Sequence, residues 1–163
     1  MILRACIFII LISVSGCAKQ TVSQFIDDVK ENRTAWAVTI PKWVISQGTN
    51  LALKGVDEKD EKAIWSLGKK IKQIRVVADN KSVITTEEVQ AVVQKMQLKD
   101  LYETYTMVKH NGSDIYVMVQ EEEELIKDLA ILVHGNESTV VLHLKTELTM
   151  EELEQADFSW KKK

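Results

Sequence analysis

The chain has 163 residues, 45% hydrophobic and 28% charged, the balance of a globular protein rather than a disordered one. Its 21 basic and 24 acidic side chains leave a net charge of −3, without the concentrated Lys/Arg footprint that duplex nucleic acid demands. Six Gly, one Pro and two Cys exclude collagen-like, low-complexity and disulfide-rich architectures.

The chain opens Met1-Ile2-Leu3-Arg4, continues in an apolar run from Ala5 to Ile12 and reaches Ser13-Val14-Ser15-Gly16-Cys17. A basic start, a short apolar stretch and small residues at a boundary are the three parts of a secretory signal. The run is far shorter than the roughly 20 apolar residues a membrane-spanning helix needs. Val14-Ser15-Gly16-Cys17 resembles the lipobox of bacterial lipoproteins. That resemblance implies cleavage between Gly16 and Cys17, a thioether-linked diacylglyceride on Cys17, and a further acyl chain such as palmitate on the new amine. Each buried methylene contributes about 0.8 kcal/mol, so two or three chains hold a protein on a bilayer. Residues 1–16 are expected to be a signal peptide and residues 17–20 a lipidated tether. Cleavage also removes Cys6, which leaves no cysteine to pair with Cys17. Ala18 and Lys19 follow, in place of the aspartate associated with inner-membrane retention. The expected location is the outer membrane, facing the periplasm.

Val22, Phe25, Ile26 and Val29 recur at helical spacing and predict an amphipathic helix over 21–32. Trp36, Val38 and Ile40 then alternate with Ala37 and Thr39, the period of a strand. Pro41 is expected at the first position of the next helix, where its missing N–H costs nothing. A further helix is predicted over 57–71, acidic at its start and lysine-rich at its end in accord with the helix dipole. Ile74–Ala78 reads as a strand. Thr85 with Glu88 is a capping-box pattern ahead of Val89, Val92, Val93 and Met96. From Tyr102 the period is two again. Tyr102–His110 and Asp114–Gln120 flank Asn111-Gly112, a type I′ hairpin signal. Glu121–Glu124 reads as a solvated connection or a short helical start. Asp128–His134 and Thr139–Glu147 form a second hairpin around Gly135-Asn136, and Thr149 with Glu152 opens a last helix towards Trp160.

Residues 21–160 are thus expected to form a single α+β domain. Its mainly antiparallel sheet ends in a four-stranded meander, with helices packed on one face. Several stretches resemble a family of small bacterial lipoproteins, domain of unknown function four-two-five-two, over roughly Phe25 to Leu153. They are Trp36-Ala37-Val38-Thr39-Ile40-Pro41-Lys42, Leu67–Val77, the Tyr102–Gly112 segment and the closing hairpin with its helix. Lys145-Thr146-Glu147 departs from the family, which commonly has a glycine there. The resemblance implies a lipid anchor and an envelope location. Because such genes often neighbour extracytoplasmic sigma factors, it also implies a part in envelope signalling. It carries no activity, cofactor or site residue.

The glycines are too dispersed for a phosphate-binding loop, and no serine sits in a G-x-S-x-G elbow. No catalytic residue and no cofactor is expected. His134 and His143 fall on one sheet face, about 13 Å apart at roughly 3.4 Å per residue, too far to share a zinc ion. No metal site is expected. His143 alternates with Leu142 and Leu144 and is expected to point away from the core, whereas Trp36 and Trp43 are expected inside it. The Asn111-Gly112 register puts Val108 opposite Ile115 and Thr106 opposite Val117 on one side, with Met107 and Tyr116 on the other. Both sides are apolar, so Tyr105, Met107, Tyr116 and Met118 form the expected partner or ligand face. The resulting expectation is a non-enzymatic, lipid-anchored interaction module of the cell envelope. Its partners would be the membrane and another envelope protein, with no nucleic acid. The alternative is a periplasmic carrier that holds a hydrophobic small molecule between sheet and helices.

Overall fold

The change to period two at Tyr102 builds the middle of the molecule. In the computed structural model, which describes residues 20–33, 35–55, 67–81, 83–110 and 112–155, four long strands follow one another through tight turns. They are β3 (Glu103–His110), β4 (Ser113–Glu122), β5 (Leu125–His134) and β6 (Thr139–Leu148). Before them come α1 (Thr21–Asn32), β1 (Trp36–Pro41), α2 (Lys42–Gly55), β2 (Gln73–Asp79) and α3 (Thr86–Lys99); α4 (Met150–Gln155) follows. Residues 57–66 of the predicted helix lie outside the described residues, as do residues 156–160 of the last one.

His110 pairs with Ser113 across the expected two-residue loop, where Gly112 takes φ +79°. The stretch Glu121–Glu124 is exposed, as a solvated connection should be, but none of it is helical. Glu121 and Glu122 continue β4, and Glu123 and Glu124 form a second two-residue turn at φ +54° and +62°. Glutamate carries no signal for a left-handed turn, so only the paired strands on either side impose it. Pro41 also shifts: it is the last residue of β1, paired with Gln73, and the helix begins at Lys42. An edge strand tolerates a residue without N–H.

The sheet order is β1-β2-β6-β5-β4-β3, antiparallel throughout. Strands β3 to β6 are the expected meander, and the α+β class holds. Val77, Val141, Leu132 and Tyr116 lie abreast on one face. They pack with Val22, Ile26 and Val29 of α1 and with Val89, Val92 and Met96 of α3. Ile74, Leu144, Leu129 and Val119 lie abreast on the opposite face, with Leu67, Ile71 and Leu153 of α4 against them.

The helical residues are therefore divided between both faces rather than gathered on one. The cause is the second face itself, where Ile115, Val117, Val119, Leu129 and Leu144 are all buried. Covering each contributes about 1.5–3 kcal/mol, too much to leave to water.

Candidate functional site

Gly16 and Cys17 lie outside the described residues, but Gln20, three positions after Cys17, already belongs to the fold. Its Nε2 donates to Gln120 Oε1 at 2.8 Å and to Asp128 Oδ2 at 3.0 Å. The Thr21 N–H donates to Asp100 Oδ2 at 2.6 Å. An acid at the positive end of α1 satisfies one of the helix's orphan donors. Gln120 Nε2 in turn donates to the Asp100 carbonyl at 2.7 Å. The first turn of α1 is thus fastened to β4, β5 and the end of α3.

Beneath that turn sits a buried polar cluster. His143 is only 1% exposed, and its Nε2 lies 2.7 Å from Asp128 Oδ1. This corrects the expectation that His143 points to solvent. Alternation with Leu142 and Leu144 did place it on the opposite face from them, but α1 and α3 cover that face too. Neighbouring Arg75, abreast of His143 on β2, pairs with Asp27 of α1. The Tyr102 phenol is buried as well; its hydroxyl and His143 Nδ1 have no hydrogen-bond partner among the described residues. Burial pushes the phenol upward, and the carboxylates of Asp128 and Asp100 push it the same way. Carboxylate, imidazole and phenol are the side chains of proton-transfer chemistry. Under α1 it is Asp128 that acts on the helix: one carboxylate oxygen holds Gln20 at its N-terminus and the other pairs with His143.

At the far end of β5, His134 approaches Thr139 Oγ1 through Nδ1 at 2.7 Å and Thr86 Oγ1 through Nε2 at 2.9 Å. This joins the β5–β6 hairpin to the start of α3. A depression of about 280 Å³ opens to solvent there, lined by Thr85, Thr86, Glu87, His134 and Asn136 among others. A polar lining of this kind does not favour an apolar ligand, so it lends the carrier alternative no support. Among the described residues no three of His, Cys, Asp and Glu are grouped to hold a metal ion. Nor is any helix among them long and apolar enough to cross a membrane.

The expected partner face is distributed otherwise than the alternation implied. Val108 does face Ile115, Thr106 faces Val117 and Met107 faces Tyr116. Tyr116 and Met118, however, are buried in the core under α1 and α3. Tyr105 sits at the register shift between Thr104 and Thr106 and packs towards the opposite face. Only Met107 remains substantially open, at 48%. The apolar surface lies elsewhere. Trp36 is 62% exposed and Trp43 is 65% exposed, against the expectation that both fill the core. Trp36 begins β1, one of the two outer strands of the described sheet, and Trp43 stands in the first turn of α2 just beyond its end. Period two identified the strand correctly, and the one local sign that it is an edge is Pro41 at its end.

The electrostatics stabilise the scaffold. Arg33, at the end of α1, donates to Glu88 Oε1 at 2.6 Å and to Oε2 at 3.2 Å. Glu88 also completes the α3 capping box by accepting from the Thr85 N–H at 2.8 Å. The Arg33 guanidinium, followed by the Thr85 N–H, holds the Glu88 carboxyl below its ordinary range.

The profile of a family described as Domain of unknown function (DUF4252) matches residues 30–156. No curated protein and no solved structure matches the chain.

Proposed function

The chain belongs to the DUF4252 family, and on that premise we propose a lipid-anchored envelope protein that recognises another envelope protein along the β1 edge of its sheet. The anchor reading rests on Val14-Ser15-Gly16-Cys17. The periplasmic face of the outer membrane is its location. The observation that carries the recognition reading is the pair Trp36 and Trp43, each more than half exposed at opposite ends of β1. Tryptophan is enriched among residues that dominate binding energy. An outer strand offers main-chain N–H and C=O groups to which a partner strand can add. Among the described residues no strand occupies that side of β1.

The test is a photocrosslinking residue placed at position 36 or 43 of the full chain in intact cells. One discrete envelope protein is expected from these positions and none from position 137 on the β5–β6 turn. The same product is expected to weaken when the other tryptophan is changed to Ala. Absence of a discrete product from both positions overturns the recognition reading. Globomycin is expected to make the uncleaved precursor accumulate; unchanged processing overturns the anchor.

A further inference from the structure

We infer that the C-terminal end of α3, through Leu98 and Leu101, rests in the headgroup–acyl boundary of the bilayer to which Cys17 fastens the chain. The inference rests on the anchor reading and adds to it a contact surface and an orientation. At 75% and 76%, Leu98 and Leu101 exceed every other described large apolar side chain in exposure. Asp100 lies between them, and its carboxylate accepts the Thr21 N–H at 2.6 Å while its carbonyl accepts from Gln120. The two leucines therefore flank the residue that holds the first turn of α1. Four peptide steps join Thr21 to Cys17, a reach of at most about 14 Å when fully extended. A lipidated Cys17 thus keeps the bilayer surface close to Leu98 and Leu101, whichever way those steps run.

Two exposed leucines at such a place lose their contact with water by entering the interface. Lys99 between them can lay its stem along the apolar zone and leave its ammonium among phosphates. The charge of this end is mixed, because the turn at Glu123-Glu124 caps β4 and β5 on the same side. Four consecutive carboxylates, Glu121–Glu124, repel anionic lipid, so the seat is apolar and suits zwitterionic headgroups such as phosphatidylethanolamine. The opposite end of the sheet, with Glu137 on the β5–β6 turn, then points away from the membrane.

The experiment uses the full chain, processed and lipidated in cells, and reconstituted in phosphatidylethanolamine vesicles with a minor share of phosphatidylglycerol. Because Cys6 leaves with the signal and the Cys17 thiol is blocked, Leu98→Cys, Leu101→Cys and Glu137→Cys each offer a single thiol for an environment-sensitive fluorophore. Blue-shifted emission, quenched by doxyl-labelled lipid, is expected from positions 98 and 101, with water-like emission from position 137. Mass spectrometry of Cys17 separates the two readings. A diacylglyceryl adduct together with water-like emission at 98 and 101, or an equal shift at 137, overturns the inference and leaves the anchor standing. An unmodified Cys17 removes the anchor and the inference with it.

Discussion

Asp79 ends β2 with a buried carboxylate that accepts the amides of Lys81, Val83 and Ile84 at 2.9, 2.7 and 2.9 Å. Burial by itself raises its pKa. The three donors outweigh burial, and the carboxyl sits below its ordinary range. With the folded value depressed, the stabilisation is present above the unfolded value and lost as pH falls through the folded one. Asp79→Ala is expected to cost about 1–3 kcal/mol at neutral pH, because backbone donors lose their acceptor. Urea denaturation across pH checks this: the variant should show a shallower loss of stability in acid. The Asp128–His143 contact behaves differently, since each side chain is the other's buried partner. Asp128→Ala is expected to cost about 1–3 kcal/mol, as it strands the buried His143 Nε2 and leaves the Gln20 amide with Gln120 alone. Changing both residues to Leu should cost less than the sum of the single changes, a coupling that a double-mutant cycle measures.

The element scale shows where local preference yields to its surroundings. Glu123 and Glu124 hold left-handed backbone between two long strands, at roughly 1 kcal/mol each for a side chain with a Cβ. Glu123→Asn with Glu124→Gly supplies the residues a type I′ turn favours, and thermal unfolding should show a gain of about 1 kcal/mol. At the start of α3 the local signal and the fold agree. Thr85 and Glu88 exchange the capping-box bonds, and Arg33 ties that box to α1. Thr85→Ala is expected to cost about 1 kcal/mol. The Arg33–Glu88 pair adds less, because Glu88 is more than a third exposed and solvent screens it. The depressed Glu88 carboxyl places its contribution on the same acid side as that of Asp79.

For the molecule as a whole, the central position of β6 organises stability. Strands β5 and β6 have a partner on each side, whereas β1 and β3 are outer strands. Hydrogen exchange should therefore be slowest in β5 and β6 and fastest in β1 and β3. Side-chain truncation should divide the same way. Met118→Ala, beneath α1 and α3, is expected to cost about 2–5 kcal/mol. Trp36→Ala and Trp43→Ala should stay within about 0.5 kcal/mol of the parent while losing the crosslinked partner. Denaturant melts alongside the crosslinking experiment separate recognition from folding.

Periodicity, two capping boxes and the Asn111-Gly112 turn were legible along the chain because each is decided within a few residues. They determined the elements, the meander and which side chains share a face. Alternation says that His143 and Leu142 point opposite ways; it does not say that both sides are covered. That depended on α1 and α3 closing over one face and on Leu67, Ile71 and Leu153 closing over the other. Likewise β2 reaches β6 across 59 intervening residues, from Asp79 to Thr139 at one end of the pairing, and only that contact leaves β1 as an edge with Trp36, and Trp43 just beyond it, in water. Whether an apolar residue becomes core or surface is a property of what arrives from elsewhere in the chain, so tertiary structure alone moved Tyr116 and Met118 inward and Trp36 and Trp43 outward.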